Sequence, residues 1–210
     1  MRTIIKGSEP KSLTTHRSSP HATYANYQNK ADLRQSLVSE QHGLCCYCMR
    51  RIRKEDDTTA IEHWHPQSRY PSEQLDYKNL LATCSGKTNK ELHCGASKAD
   101  KILSKNPANP QHRVEELILY RSNGEIASDD ELVDAELNGV LRLNLPFLVS
   151  SRKATLDGLI DFLSKNSAIT LKVRDLKKHI KEWSGQGDTG ELEEYCQVII
   201  YWLQKRLRRS

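Results

Sequence analysis

The chain has 210 residues, enough for one sizeable domain or for a small module with a helical companion. Hydrophobic residues make up 37% and charged residues 28%, so a core can form, yet no run approaches the uninterrupted apolar length of a membrane span. The formal net charge of +5 suits a solvated surface as well as a phosphate-rich partner and does not choose between them.

Residues 1–6, Met1-Arg2-Thr3-Ile4-Ile5-Lys6, lack the apolar stretch of a secretion signal, which predicts a cytoplasmic protein with no membrane partner. Residues 1–29 are rich in Ser, Thr, Pro, His and Tyr without a sustained period and read as an extended, partly ordered arm. Over 29–41, Ala31, Leu33, Leu37 and Val38 suit one helical face, with Gly43 as the stop. The cysteine-rich segment 44–105 follows. Asn106-Pro107-Ala108-Asn109-Pro110 is a breaker and the expected internal boundary. The division is therefore an arm and helix (1–43), a central module (44–105) and a mainly helical C-terminal region (106–210).

Within that last region, 116–120 and 125–128 flank Arg121-Ser122-Asn123-Gly124, whose Asn-Gly predicts a β-hairpin. Helices are expected over 130–141, 147–163 and 170–183, then a flexible break over 184–190. A final helix over 191–209 would align Leu192, Tyr195, Cys196, Ile199, Trp202 and Leu203 on one stripe. Its acidic start (Glu191, Glu193, Glu194) and basic end (Lys205, Arg206, Arg208, Arg209) would complement the helix dipole.

Six cysteines occur, and five of them (Cys45, Cys46, Cys48, Cys84, Cys94) fall within residues 45–94. In a chain expected to stay in a reducing compartment, such clustering points to metal rather than to disulfides. Cys45 and Cys48 form a C-x-x-C knuckle that can place two sulfurs on one tetrahedral zinc. Cys84 and Cys94 could supply the other two ligands. The alternative set is Cys45 and Cys48 with His63 and His65, which would leave Cys84 and Cys94 unexplained. A redox role for the knuckle would need a thioredoxin-like βαβ frame, and none is visible.

Between the two cysteine pairs lie Ala60-Ile61-Glu62-His63-Trp64-His65-Pro66 and Asp76-Tyr77-Lys78-Asn79-Leu80-Leu81. The order C-x-x-C, Glu-His-x-x-Pro, Asn-Leu, Cys and a downstream Lys resembles the signature of HNH nucleases. The likeness extends to Lys6 and Pro10, to Leu33-Arg34 and Leu37, to residues 41–52, to Leu141-Arg142-Leu143-Asn144 and to Arg152. In this it is similar to the PtuB-like group of HNH proteins, which pair with a PtuA-type ATPase in Septu anti-phage defence and in some retrons.

The resemblance implies an α+β fold: an HNH ββα-metal finger braced by a structural Zn2+, between an N-terminal arm and helix and a mainly α-helical C-terminal region. It implies an endonuclease hydrolysing phosphodiester bonds in DNA or RNA with Mg2+ or a similar ion. Its partners would be the ATPase and, in a retron setting, a reverse transcriptase with its nucleic acid. On this likeness His63 is the general base, Glu62 a ligand of the catalytic ion, and Asn79 the residue that orients the loop carrying His63. Two departures stand out. Nine residues (85–93) separate Cys84 from Cys94 and must loop out, and Gly95 stands where a histidine often follows the last cysteine. Lys98 falls at the familiar downstream position. The second ligand of the catalytic ion would then be Asp100 or His93, with Asp100 preferred, and His65 a supporting contact. The rival reading is a non-catalytic, zinc-dependent nucleic-acid-binding or adaptor module.

Overall fold

The computed structural model describes residues 1–54, 58–88, 90–165, 173–185 and 190–209. Most of the break expected at 184–190, and the start of the helix expected at 170–183, lie outside the described residues.

The N-terminal segment is packed rather than loosely extended. It carries a helix, α1 (Lys11–Arg17), and contributes Met1, Ile4, Leu13 and Tyr27 to the core. These apolar residues have no regular spacing, which is why periodicity does not reveal them. Polar contacts finish the attachment. Ile4 N–H donates to Pro107 O at 2.8 Å. The Lys6 ammonium pairs with Glu40, donates to Leu80 O at 2.9 Å and sits 3.8 Å above the Tyr77 ring, while Tyr77 Oη donates to Glu40 Oε2 at 2.8 Å.

Helix α2 (Lys30–Glu40) matches the expected one and buries Leu33, Leu37 and Val38, whereas Ala31 stays exposed. Gly43 ends it in the left-handed region (φ 74°), its N–H returning to Val38 O at 2.9 Å. A Cβ there would lie 2.6 Å from Arg51 Nη1, a second reason for glycine.

The central ribbon is β1 (Thr59–His63) antiparallel to β2 (Leu80–Cys84), in register from Thr59 opposite Cys84 to His63 opposite Leu80. All of β2 is buried. The segment expected to loop out folds into a small hairpin, β3 (Lys87–Thr88) with β4 (Glu91–Leu92), that returns the chain to α3 (Cys94–Lys98). Gly86 makes the turn possible: it has φ 69°, and a Cβ would sit 2.4 Å from His93 O.

Beyond the breaker come α4 (Val114–Leu117) and the hairpin β5 (Leu119–Tyr120) with β6 (Ile126–Ala127). The hairpin is shorter than expected because 114–117 is helical. The helix expected over 130–141 is α5 (Glu131–Ala135), capped by Asp130 Oδ1 and continued by a π-helical turn at Glu136–Val140. Helices α6 (Pro146–Lys165) and α7 (Val173–Ser184) follow. The last helix, α8, spans Cys196–Leu207, shorter than the expected 191–209. The acidic residues do not begin it. Tyr195 has φ 57°, Glu191 pairs with Arg53 and Arg51, and Glu194 Oε1 accepts the Arg51 N–H at 2.6 Å. Tertiary pairing with the cysteine knuckle has replaced dipole complementation.

The chain is therefore α+β, with one buried cluster running from Met1 to Leu203. Leu143, Asn144 and Arg152 belong to this frame: Arg152 donates to Gly124 O, Leu143 O and Asn144 Oδ1 at 2.7–2.9 Å. Among the described residues no helix is long and apolar enough to cross a membrane.

Candidate functional site

The knuckle folds because Cys45 N–H donates to Arg50 O at 2.9 Å and Met49 N–H to Cys45 O at 3.1 Å, which turns Cys45 and Cys48 toward one point. The end of strand β2 delivers Cys84 and the start of α3 delivers Cys94. The four sulfurs all lie within 4.8 Å of one another, with Cys45–Cys94 at 4.0 Å and Cys48–Cys84 at 3.8 Å. Four thiolates about 2.3 Å from one zinc would stand about 3.8 Å apart, so the donor set fits a tetrahedral ion. All four cysteines are buried, and none of the six is in a disulfide. Burial opposes ionisation of Cys45, but hydrogen bonds from Cys46, Cys48, Cys84 and Cys94 hold its thiol well below the usual range. Burial pushes Cys48 and Cys94 up. A buried cluster of this kind accumulates negative charge only as fast as a cation compensates it.

The histidines resolve the two ligand sets. His63 and His65 are not in the sulfur cluster. His93 is, as a neighbour: it is buried, with Nδ1 3.2 Å from Cys94 Sγ and 3.8 Å from Cys84 Sγ. Cys46 and Cys196 are buried outside it.

One strand away, Glu62 and His63 sit at the end of β1 on opposite faces. The Glu62 carboxylate faces α3 and the knuckle. Its Oε1 is 2.8 Å from Lys98 Nζ and accepts from Tyr47 Oη at 3.3 Å. Lys98 is 1% exposed, and its ammonium also donates to His63 O at 2.9 Å. Burial pushes the Glu62 carboxyl up, with Lys98 opposing. The glycine at 95 now has a reason: a Cβ there would lie 2.5 Å from Glu62 Oε2 and 2.9 Å from Thr83 Cγ2.

His63 packs edge-on to Tyr24, ring centroids 4.6 Å apart. Its Nε2 is 3.0 Å from Gln74 O, and Gln67 Nε2 is 3.2 Å from its Nδ1. A carbonyl only accepts, so Nε2 carries the hydrogen and Nδ1 the lone pair. Burial lowers the His63 imidazolium pKa, which favours the neutral ring near pH 7.

Asn79 is buried and fastens the loop after β1 by three bonds. Its Oδ1 accepts the His65 N–H at 2.7 Å, and its Nδ2 donates to His65 O at 3.0 Å and Glu73 O at 3.2 Å. The His65 ring is stacked between Trp64 (4.0 Å) and Tyr70 (4.1 Å), with Nδ1 2.7 Å from Glu73 Oε2. Asp100 is exposed and lies outside α3, which stops at Lys98; Ala99 turns the chain away at φ 47°. Among the described residues, no second group of three or more His, Cys, Asp or Glu side chains converges.

Sequence reasoning did not find Tyr47, Gln67, Glu73 or Gln74 as neighbours of the site. Tyr47 carried a signal, since it lies inside the knuckle. The other three reach the histidines only because the 66–76 loop folds back.

No family model matches the chain. Over 125 residues, 59% of the chain, it is 25% identical to Septu protein PtuB of Bacillus thuringiensis. That stretch covers 48% of the relative, so the chain spans about half the length of the curated protein it matches.

Proposed function

We propose that the chain is an HNH-type endonuclease, a component of Septu-like anti-phage defence that works in complex with a PtuA-type ATPase. The similarity to Septu protein PtuB supports the defence role. One observation carries the nuclease reading: Glu62 and His63 end a strand whose partner strand and following helix close a four-thiol cluster, and Asn79 locks the loop beside them. This matches the order of parts in a ββα-metal finger with a structural zinc.

In this reading His63 Nδ1 takes the proton of the attacking water, which would displace the Gln67 amide from that nitrogen, the Nε2–H being held on Gln74 O. A Mg2+ or similar ion, when bound, neutralises the non-bridging oxygens and the leaving oxygen. Such ions are held by one or two carboxylates together with substrate phosphate. Glu62 would supply one carboxylate, whose charge Lys98 balances in the chain as described; Asp100, exposed beyond the end of α3, would reach the ion only if the chain after Ala99 moved. Asn79 holds the loop, not the substrate.

The test is incubation of the chain, purified with its cognate ATPase, with labelled DNA and RNA in the presence and absence of Mg2+. Cleavage is expected only with the ion. His63→Ala should slow it by roughly 100- to 10,000-fold while zinc content and ATPase binding are kept. The buried Lys98–Glu62 pair favours the rival reading, a zinc-braced module that binds nucleic acid without cutting it. Retention of both nucleic acids by the complex without cleavage under every condition would establish that rival.

A further inference from the structure

The motif histidine His63 is buried, and both its ring nitrogens are engaged. Two residues on stands a second histidine whose surroundings are at least as specific. The backbone of His65 is gripped from both sides by Asn79, and its ring lies between two aromatic faces. Its Nδ1 is 2.7 Å from a Glu73 carboxylate oxygen, and the side chain keeps 23% of its surface exposed. A ring held this way has one orientation. Nδ1 points at the carboxylate, so Nε2, on the far side of the imidazole, is the atom offered to whatever enters. A carboxylate on one imidazole nitrogen is also the arrangement that holds a catalytic histidine in one orientation. A packing histidine needs none of this.

The two rings are tied to adjacent residues of the same loop, His63 to Gln74 O and His65 to the Glu73 side chain. Asn79 Nδ2 bonds both His65 O and Glu73 O, which ties the two residues together through one side chain. Phosphodiester hydrolysis needs two proton transfers, one from the attacking water and one to the leaving oxygen.

We propose that His65, positioned by Glu73, is the general acid of the site, and this rests on the nuclease reading above. As the water oxygen bonds to phosphorus, His63 takes its proton. As the bond from phosphorus to the leaving oxygen breaks, that oxygen takes the proton from His65 Nε2. One water is consumed, one phosphomonoester and one hydroxyl end are formed, and the two histidines exchange their proton with solvent afterwards. Glu73 is a positioning residue and touches no substrate.

The experiment compares ordinary DNA and RNA oligonucleotides with versions in which sulfur replaces the 3′- or the 5′-bridging oxygen at the cleavage site. A thiolate leaves without protonation, so it removes the need for an acid. His65→Gln in the full chain with its ATPase should slow cleavage of the oxygen substrates by roughly 100- to 10,000-fold. On the substrate with sulfur at the leaving position it should stay within about tenfold of the wild type, as expected once the acid's share of the rate is removed. Glu73→Gln should show the same pattern with smaller losses. The sulfur-to-oxygen rate ratio is read only from folded, active molecules, so partial unfolding of a variant does not alter it. Equal losses on both substrates, or no loss on either, would overturn the role of His65 while leaving the nuclease reading intact. Failure of the wild-type complex to cleave any of the oligonucleotides overturns the nuclease reading, and His65 as its acid with it.

Discussion

Lys98 is the residue whose placement most changes how the site is understood. Its ammonium is buried against Glu62 and the His63 carbonyl, so the charge of one proposed ligand and the backbone of the proposed base hang on a single side chain. A buried ion pair adds little to stability against an apolar pair of the same size, but removing one partner leaves an uncompensated charge. Lys98→Met should therefore destabilise the chain by about 3–5 kcal/mol. The double variant Lys98→Met with Glu62→Gln should be clearly more stable than the sum of the two single losses predicts. Urea denaturation of the four proteins measures this, and strict additivity would mean that the two groups do not pair in solution. Gly95 belongs to the same account, because the close approach of Glu62 leaves no room for a side chain at that position.

At the scale of elements, the ribbon and its four-cysteine cluster depend on each other. Strands β3 and β4 have two residues each and α3 has five, too short to be stable alone. They are held because Cys94 must reach the sulfurs of Cys45, Cys48 and Cys84. The protein purified without added metal is expected to carry about one equivalent of zinc, the content of a closed four-ligand site. Replacing Cys84 and Cys94 together by Ser should abolish zinc retention and lower the thermal midpoint, since binding energy in such modules is also folding energy. Elemental analysis with thermal melts decides it: undiminished zinc in the double variant would remove these cysteines from the ligand set. His93, which packs on the thiols rather than near Glu62, should matter for zinc affinity more than for the catalytic ion.

Over the whole molecule, the N-terminal arm and the C-terminal helices close one core around the ribbon. Met1, Ile4, Leu13 and Tyr27 are all at or below 5% exposure. Full burial of such a side chain contributes about 1.5–3 kcal/mol, so four of them approach the entire stability of an ordinary domain, about 5–15 kcal/mol. Deletion of residues 1–28 is thus expected to abolish cooperative unfolding or solubility, rather than merely to detach a partner. A truncated chain with an unchanged melting curve would show that the arm is dispensable to the fold. Contact with the ATPase is better probed by charge reversal at an exposed basic residue of α8, such as Arg206, which leaves the core alone.

How much of the fold is legible in the sequence depends on the range of the interaction. The four-cysteine cluster could be read from the sequence, because a knuckle is a local turn and Cys84 and Cys94 would otherwise be left unexplained. Helices α2 and α6 could be read because a buried stripe repeats with the helical period. The Asn-Gly hairpin could be read because its chemistry is confined to a few residues. The arm could not, since its anchors are irregularly spaced and meet partners about a hundred residues away, as Ile4 does at Pro107. The start of α8 was misplaced because Glu191 and Glu194 answer to Arg51 and Arg53, not to the helix dipole. The same holds at the site. Sequence alone named Glu62, His63 and Asn79, while tertiary structure decided that Lys98 claims the carboxylate, that Asn79 grips His65, and that Glu73 meets the His65 ring. Side-chain pairing across folded-back loops leaves no periodic or local trace, so only the assembled chain reveals it.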